Sequence, residues 1–288
     1  MSKVFFLHTH YVPPNIQNDS IFAGAVIVPE FYPNLNYTYY DDVVAFRGLE
    51  QYFDYIEKTE KKANYYAIEN INMILPSTDI ALLKKNNVKI LQLYHHNGSR
   101  YFTIENGLTD EGYKLLKLMA KNDMILDLSH LPEKYIDDTL NSFDGKIIVS
   151  HCACSELYKY DKSRSNSLSK SAIELLQKRD TLFGIAFIND IISNTPCTKN
   201  ENDETLLEDL FKQVLFFVDI VGDNNVALGP DFIDLQYFSN VFGIELKISR
   251  YLYSSIGYEM LKERLVLKGY ENESIERIFS RNAIDFLG

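Results

Sequence analysis

Eight short apolar runs of strand character punctuate this chain, and six of them stop on a histidine or a carboxylate. The runs VFFLHTH, VKILQLYHH, MILDLSH and KIIVSH carry His8 and His10, His95 and His96, His130, and His151 at their ends. NYYAIE and VALGPD end on Glu69 and Asp231. Every histidine of the chain falls at one of these ends, none on a helical face. Imidazole is the commonest metal ligand and works as an acid or base near neutral pH. A fold that gathers the strand ends at one place would therefore build a metal site.

The strand candidates span 3–9, 24–29, 64–69, 88–94, 123–128, 146–150, 182–188 and 225–229. Between them lie stretches with apolar residues at helical spacing, the clearest being 41–62, 109–122 and 203–221. Thr109 is placed to cap the second of these, with Asp110 and Glu111 favouring its N-terminal dipole. Residues 11–23 contain Pro13 and Pro14 without helical periodicity and read as a loop, and the polar stretch 192–204 reads as a surface excursion. Eight strands alternating with helices predict an α/β fold, a (β/α)8 barrel forming a single domain over 1–288, whose active site lies at the C-terminal strand ends. An open doubly wound sheet would gather residues from fewer strands, and the first βα turn lacks a glycine fingerprint for a dinucleotide.

A formal charge of −11 argues against nucleic acid as a partner. No run approaches the roughly 20 apolar residues of a membrane helix, and the start MSKVFFLHTH is too polar for a signal peptide. Three cysteines, Cys152, Cys154 and Cys197, point to a reduced, cytoplasmic protein. The H-C-A-C of His151–Cys154 is read as packed or free thiols rather than a thiolate metal site. The 20 tyrosines include a cluster at Tyr37, Tyr39 and Tyr40, read as half-exposed packing.

Strand residues i and i+2 point the same way, so His8 and His10 can hold one ion while Thr9 turns away. A carboxylate at Glu69 could bridge two cations, although alone such a residue is more often a salt-bridge partner or helix cap. His130 and His151 are the nitrogen donors a second divalent ion would need, and singly each would be a hydrogen-bonded core histidine. Asp231, after the last strand, is placed to accept a proton from an activated water. His95 is preferred to His96 as the working member of its pair, because His96 is expected in the following loop.

The segments AIEN, VKILQLYHHN, GLTDEGYKLLKLMAKNDMILDLSH, IIVSH, DIVGDNNVALGPDF and KGYENESIERIFSRNAIDFL resemble the membrane (renal) dipeptidase family of zinc peptidases, a branch of the amidohydrolase-type hydrolases. The resemblance runs from about residue 64 onward. It implies a barrel with two Zn2+ ions, the first held by an N-terminal pair, both bridged by Glu69, the second held by His130 and His151. It further implies that His95 polarises the substrate carbonyl, that Asp231 moves the water proton to the leaving amine, and that Arg164 grips the substrate carboxylate. It also suggests homodimers.

Three departures from the family pattern are visible. The N-terminal pair is His8-Thr9-His10 where the family has His-x-Asp; this is the His-x-His of the wider amidohydrolase group, where the last-strand aspartate often ligates metal directly. This leaves open one ion or two, and which metal. Second, the family's GSDFDG is here Gly229-Pro230-Asp231-Phe232-Ile233-Asp234. Third, Glu69 follows His10 by only 59 positions, so substrate-covering structure is trimmed. The expected activity is hydrolysis of a small amide, a dipeptide or aminoacyl conjugate, by metal-activated water. The rival readings are a lactone, cyclic amide or phosphoester hydrolase, and a catalytically silent metal-binding barrel.

Overall fold

The computed structural model describes residues 3–29, 42–58, 64–69, 71–95, 98–157, 166–196, 198–199 and 202–288. Eight parallel strands carry the fold: β1 (Val4–Thr9), β2 (Phe22–Ile27), β3 (Tyr65–Ile68), β4 (Val88–Gln92), β5 (Ile125–Asp127), β6 (Ile147–Cys154), β7 (Leu182–Ile185) and β8 (Val226–Leu228). Each neighbours the next in chain order, β8 returns to β1, and β6 pairs with β7, giving the closed (β/α)8 barrel. Each expected strand run contains its observed strand or overlaps at least half of it.

The chain divides into two compact units, Val26–Val149 and the remainder. Within the first, β3, β4 and β5 pair in parallel, with Ile90 opposite Ile125 and Leu126 opposite Ile147. Within the second, β8 lies between β7 and β1, with Leu228 opposite both Ile185 and Phe6. All six residues of β1 are buried, as expected where a parallel sheet is covered on both faces.

The helices follow local chemistry. Asp110–Lys121 starts at the Thr109 cap, whose side chain accepts the Gly112 amide hydrogen, and Asp203–Val221 starts at Asn202, which accepts from Glu204. The loop expected at 11–23 contains a one-turn helix, Pro14–Gln17; Pro14 stands in its first turn, where proline's fixed φ suits a helix and its missing N–H costs nothing. After Asp231 come four helices that hydrophobic periodicity did not reveal, Leu235–Phe242, Ser255–Leu267, Asn272–Glu276 and Asn282–Leu287, the last two joined by a π-helical turn at Arg277–Arg281. Cys152 and Cys154 are buried thiols in β6, in line with the packed reading. Tyr37, Tyr39, Tyr40, His96, Arg164 and Cys197 lie outside the described residues.

Two glycines set how closely the strands approach. A Cβ on Gly184 or Gly229 would sit 1.9 or 1.8 Å from the carbonyl oxygen of Ser150, so β7 and the β8 end can pass β6 only without side chains there. We expect Gly229→Ala to lower the unfolding free energy by about 1–3 kcal/mol, because backbone rather than a flexible side chain must yield. A urea denaturation midpoint unchanged from the wild type would contradict that close approach.

Candidate metal centre

One cluster is built where β1 ends beside β8. The Asp231 amide donates to the His8 carbonyl at 3.1 Å, while His10 and Tyr11 donate to the Phe232 carbonyl at 3.0 and 2.9 Å. The Thr9 hydroxyl, turned away from the histidines, donates to the Tyr11 carbonyl at 2.5 Å. These bonds place both imidazoles of the pair on one acid: His8 Nε2 and His10 Nε2 lie 3.6 and 3.3 Å from Asp231 Oδ1. The His151 ring, from β6, lies 4.0 Å from that of His8. Ligand atoms of His8, His151 and Asp231 fall within 4.8 Å of one another.

Burial pushes the Asp231 carboxyl upward, but His151, His10 and His8 around it more than offset this and hold it down at about 2. It is therefore ionised throughout the range in which imidazoles are neutral. Three imidazoles and one ionised carboxylate, mostly buried, form a donor set suited to a divalent transition metal such as zinc.

A second cluster is built within the other unit. Glu69, one residue past β3, is buried, and His95 Nε2 and His130 Nε2 each lie 3.6 Å from its Oε1. The two rings stand edge to face with centroids 4.7 Å apart, and ligand atoms of all three residues fall within 4.8 Å. Gln92, the last residue of β4, donates through Nε2 to Glu69 Oε1 at 3.4 Å and to the Tyr94 carbonyl at 3.0 Å. This cluster too has the donor chemistry of a divalent-ion site.

Backbone strain coincides with these clusters. Five non-glycine residues among those described have φ in the left-handed region. Asn87, Asp123 and Asp180 sit just past helix ends, where Asn and Asp replace the usual glycine. The other two are His130 at 65° and Asp231 at 57°, each in a turn directly after a strand. Such conformations cost on the order of 1–3 kcal/mol and persist where surroundings enforce them. For His130 the enforcing group is Asp127, buried at the end of β5, whose Oδ1 accepts the Ser129 amide at 2.9 Å and the Ser129 hydroxyl at 2.8 Å.

The structure thus groups His8, His10 and His151 about Asp231, and His95 and His130 about Glu69. His130 stands with Glu69 and His95, and His151 with His8 and Asp231. Sequence reasoning missed Gln92, Asp127 and Ser150 as members. Their signal was present: each is a polar residue interrupting an apolar run just before its end.

Since the Asp231 carboxyl is held below its unfolded value near 3.8, its contribution to stability is full above about pH 4 and is lost as pH falls toward 2. In metal-free protein, Asp231→Asn is expected to remove about 2 kcal/mol of pH dependence across that window. Urea unfolding at stepped pH reads this directly; identical slopes for variant and wild type would contradict the charge environment described.

A model of the membrane dipeptidase family (Peptidase family M19) matches residues 50–287. The chain is 24% identical over 220 residues to dipeptidase tcpJ of Claviceps purpurea (strain 20.1), an alignment covering 70% of this chain and 47% of that protein. It spans about half the length of the curated relatives it matches. In structure it is similar to a metallo peptidase from Rhodobacter sphaeroides liganded with a phosphinate mimic of the dipeptide L-Ala-D-Ala, with a TM-score of 0.71 at 15% identity over 99% of this chain and 98% of that one. It is equally similar to an amidohydrolase from Pseudomonas aeruginosa, with a TM-score of 0.71 at 13% identity over 99% and 95% of the two chains.

Proposed function

Because the chain belongs to the membrane dipeptidase family, Peptidase family M19, we propose that it is a zinc-dependent hydrolase of a small amide, with a dipeptide or aminoacyl conjugate as substrate. One observation carries this reading. The family match spans Glu69, His95, His130, His151 and Asp231, and each stands in one of two clusters whose acid lies within 4 Å of histidine nitrogens. His8, His10, His151 and Asp231 are the proposed ligands on one side, and Glu69 and His130 on the other, for one ion or two.

A divalent ion held there supplies Lewis acidity, lowering the pKa of water and polarising a carbonyl. The chain's own groups do the remaining work. Asp231, ionised and set among imidazoles, accepts the proton released when water adds to the amide carbon. It returns that proton to the nitrogen as the C–N bond breaks, so that water and amide become acid and amine. His95 offers a ring N–H to the substrate carbonyl oxygen as negative charge develops. Arg164 is the proposed partner of the substrate carboxylate.

No helix among the described residues is long and apolar enough to cross a membrane. The sparse cysteines support a cytoplasmic setting, and the family resemblance supports a homodimer. A second reading, hydrolysis of a lactone, cyclic amide or phosphoester, draws on the His8-x-His10 pair, which the wider amidohydrolase group carries.

Zinc-loaded protein assayed on dipeptides, lactones, cyclic amides and phosphoesters separates the two readings. We expect dipeptide turnover, with Asp231→Asn lowering kcat about a hundredfold or more. Turnover confined to the other esters and amides would favour the second reading, and full dipeptide activity in Asp231→Asn would overturn the assigned proton carrier.

A further inference from the structure

Ser150 precedes His151 in β6 and is 1% exposed. Its hydroxyl oxygen lies 3.0 Å from His8 Nδ1 and 3.0 Å from His151 Nδ1. One buried oxygen therefore touches the same nitrogen of two facing rings that come from different strands. On His8 the other nitrogen, Nε2, is the one directed at Asp231. We infer that Ser150 is a positioning residue, whose oxygen accepts the Nδ1–H of both rings and so presents both Nε2 atoms to one ion. This rests on the metal-hydrolase reading and adds to it the group that sets the tautomer and tilt of two ligands.

The chemistry requires such a group. A neutral imidazole that ligates through Nε2 carries its hydrogen on Nδ1, and a ligand ring is oriented by whatever accepts that hydrogen. A serine oxygen has two lone pairs and can serve two rings at once. The oxygen is itself held in place, because the carbonyl of the same residue is the atom that Gly184 and Gly229 approach. The main chain at Ser150 cannot shift without displacing β7 and the β8 turn that carries Asp231. One residue thus ties the ring orientation of two ligands to the backbone spacing of three strands.

The test compares wild type, Ser150→Ala and Ser150→Thr, each purified without metal and titrated with zinc against a chromophoric chelator. Long-range nitrogen–proton NMR of the histidine rings is recorded on the loaded proteins. Alanine keeps the carbonyl and the glycine contacts, so its metal-free melting temperature should stay near that of the wild type. Its zinc affinity should fall about 10–100-fold, as for other groups that orient ligands, and the Nδ1–H signals of His8 and His151 should be lost or split between tautomers. Threonine, which retains the oxygen, should restore both readouts.

Wild-type zinc affinity and unchanged ring signals in Ser150→Ala would overturn the inference while leaving the metal reading intact. A drop in metal-free stability with unaltered zinc affinity would assign Ser150 a structural role only and overturn it equally. A wild-type protein that takes up no zinc would overturn the metal reading, and this inference with it.

Discussion

An acid taken out of water must be compensated where it sits, and that requirement organises the ends of these strands. A buried carboxylate without partners is disfavoured by several kcal/mol, so it either protonates or gathers donors. Asp231 gathers three imidazoles and remains ionised, and Glu69 gathers two together with the amide of Gln92. Each cluster is therefore neither an ordinary salt bridge nor apolar packing. It is a set of imidazole nitrogens assembled around a carboxylate, a donor chemistry suited to a divalent cation.

The supporting structure acts on the rings through backbone rather than through bulk. The first cluster depends on main-chain bonds from β1 to the segment after β8, and on two glycines that admit the Ser150 carbonyl. The second depends on an acid–serine turn that holds His130 in a conformation it would not otherwise adopt. In both, the strained residue stands within the cluster, held by its hydrogen-bonded neighbours. Rigid ligands lose less entropy when an ion binds, which gives the strain a use in binding as well as in geometry.

The barrel was legible because its strands are written as apolar runs with polar stops, a pattern that needs no tertiary information. The candidate residues were legible for the same reason: each imidazole or carboxylate stops an apolar run, although singly each has an ordinary structural use. What the runs could not express is partnership. Nothing in IIVSH says that its histidine faces His8, because that follows from strand spacing set by glycines more than 30 residues away. The serine, glutamine and aspartate that precede the ligands looked like lapses in hydrophobicity, and only their contacts distinguish them from such lapses. The helix Ser255–Leu267 was obscured because its apolar residues do not form one stripe.

Histidine at position 10 changes the electrostatics of the first cluster more than its shape. With a carboxylate there, two acids would share the neutralisation of an ion and Asp231 would be the more dispensable ligand. With imidazole there, two ring nitrogens converge on Asp231 Oδ1. In the function proposed, Asp231 would serve the ion and the proton through the same group. Imidazole in place of a carboxylate at position 10 leaves the cluster one negative charge poorer.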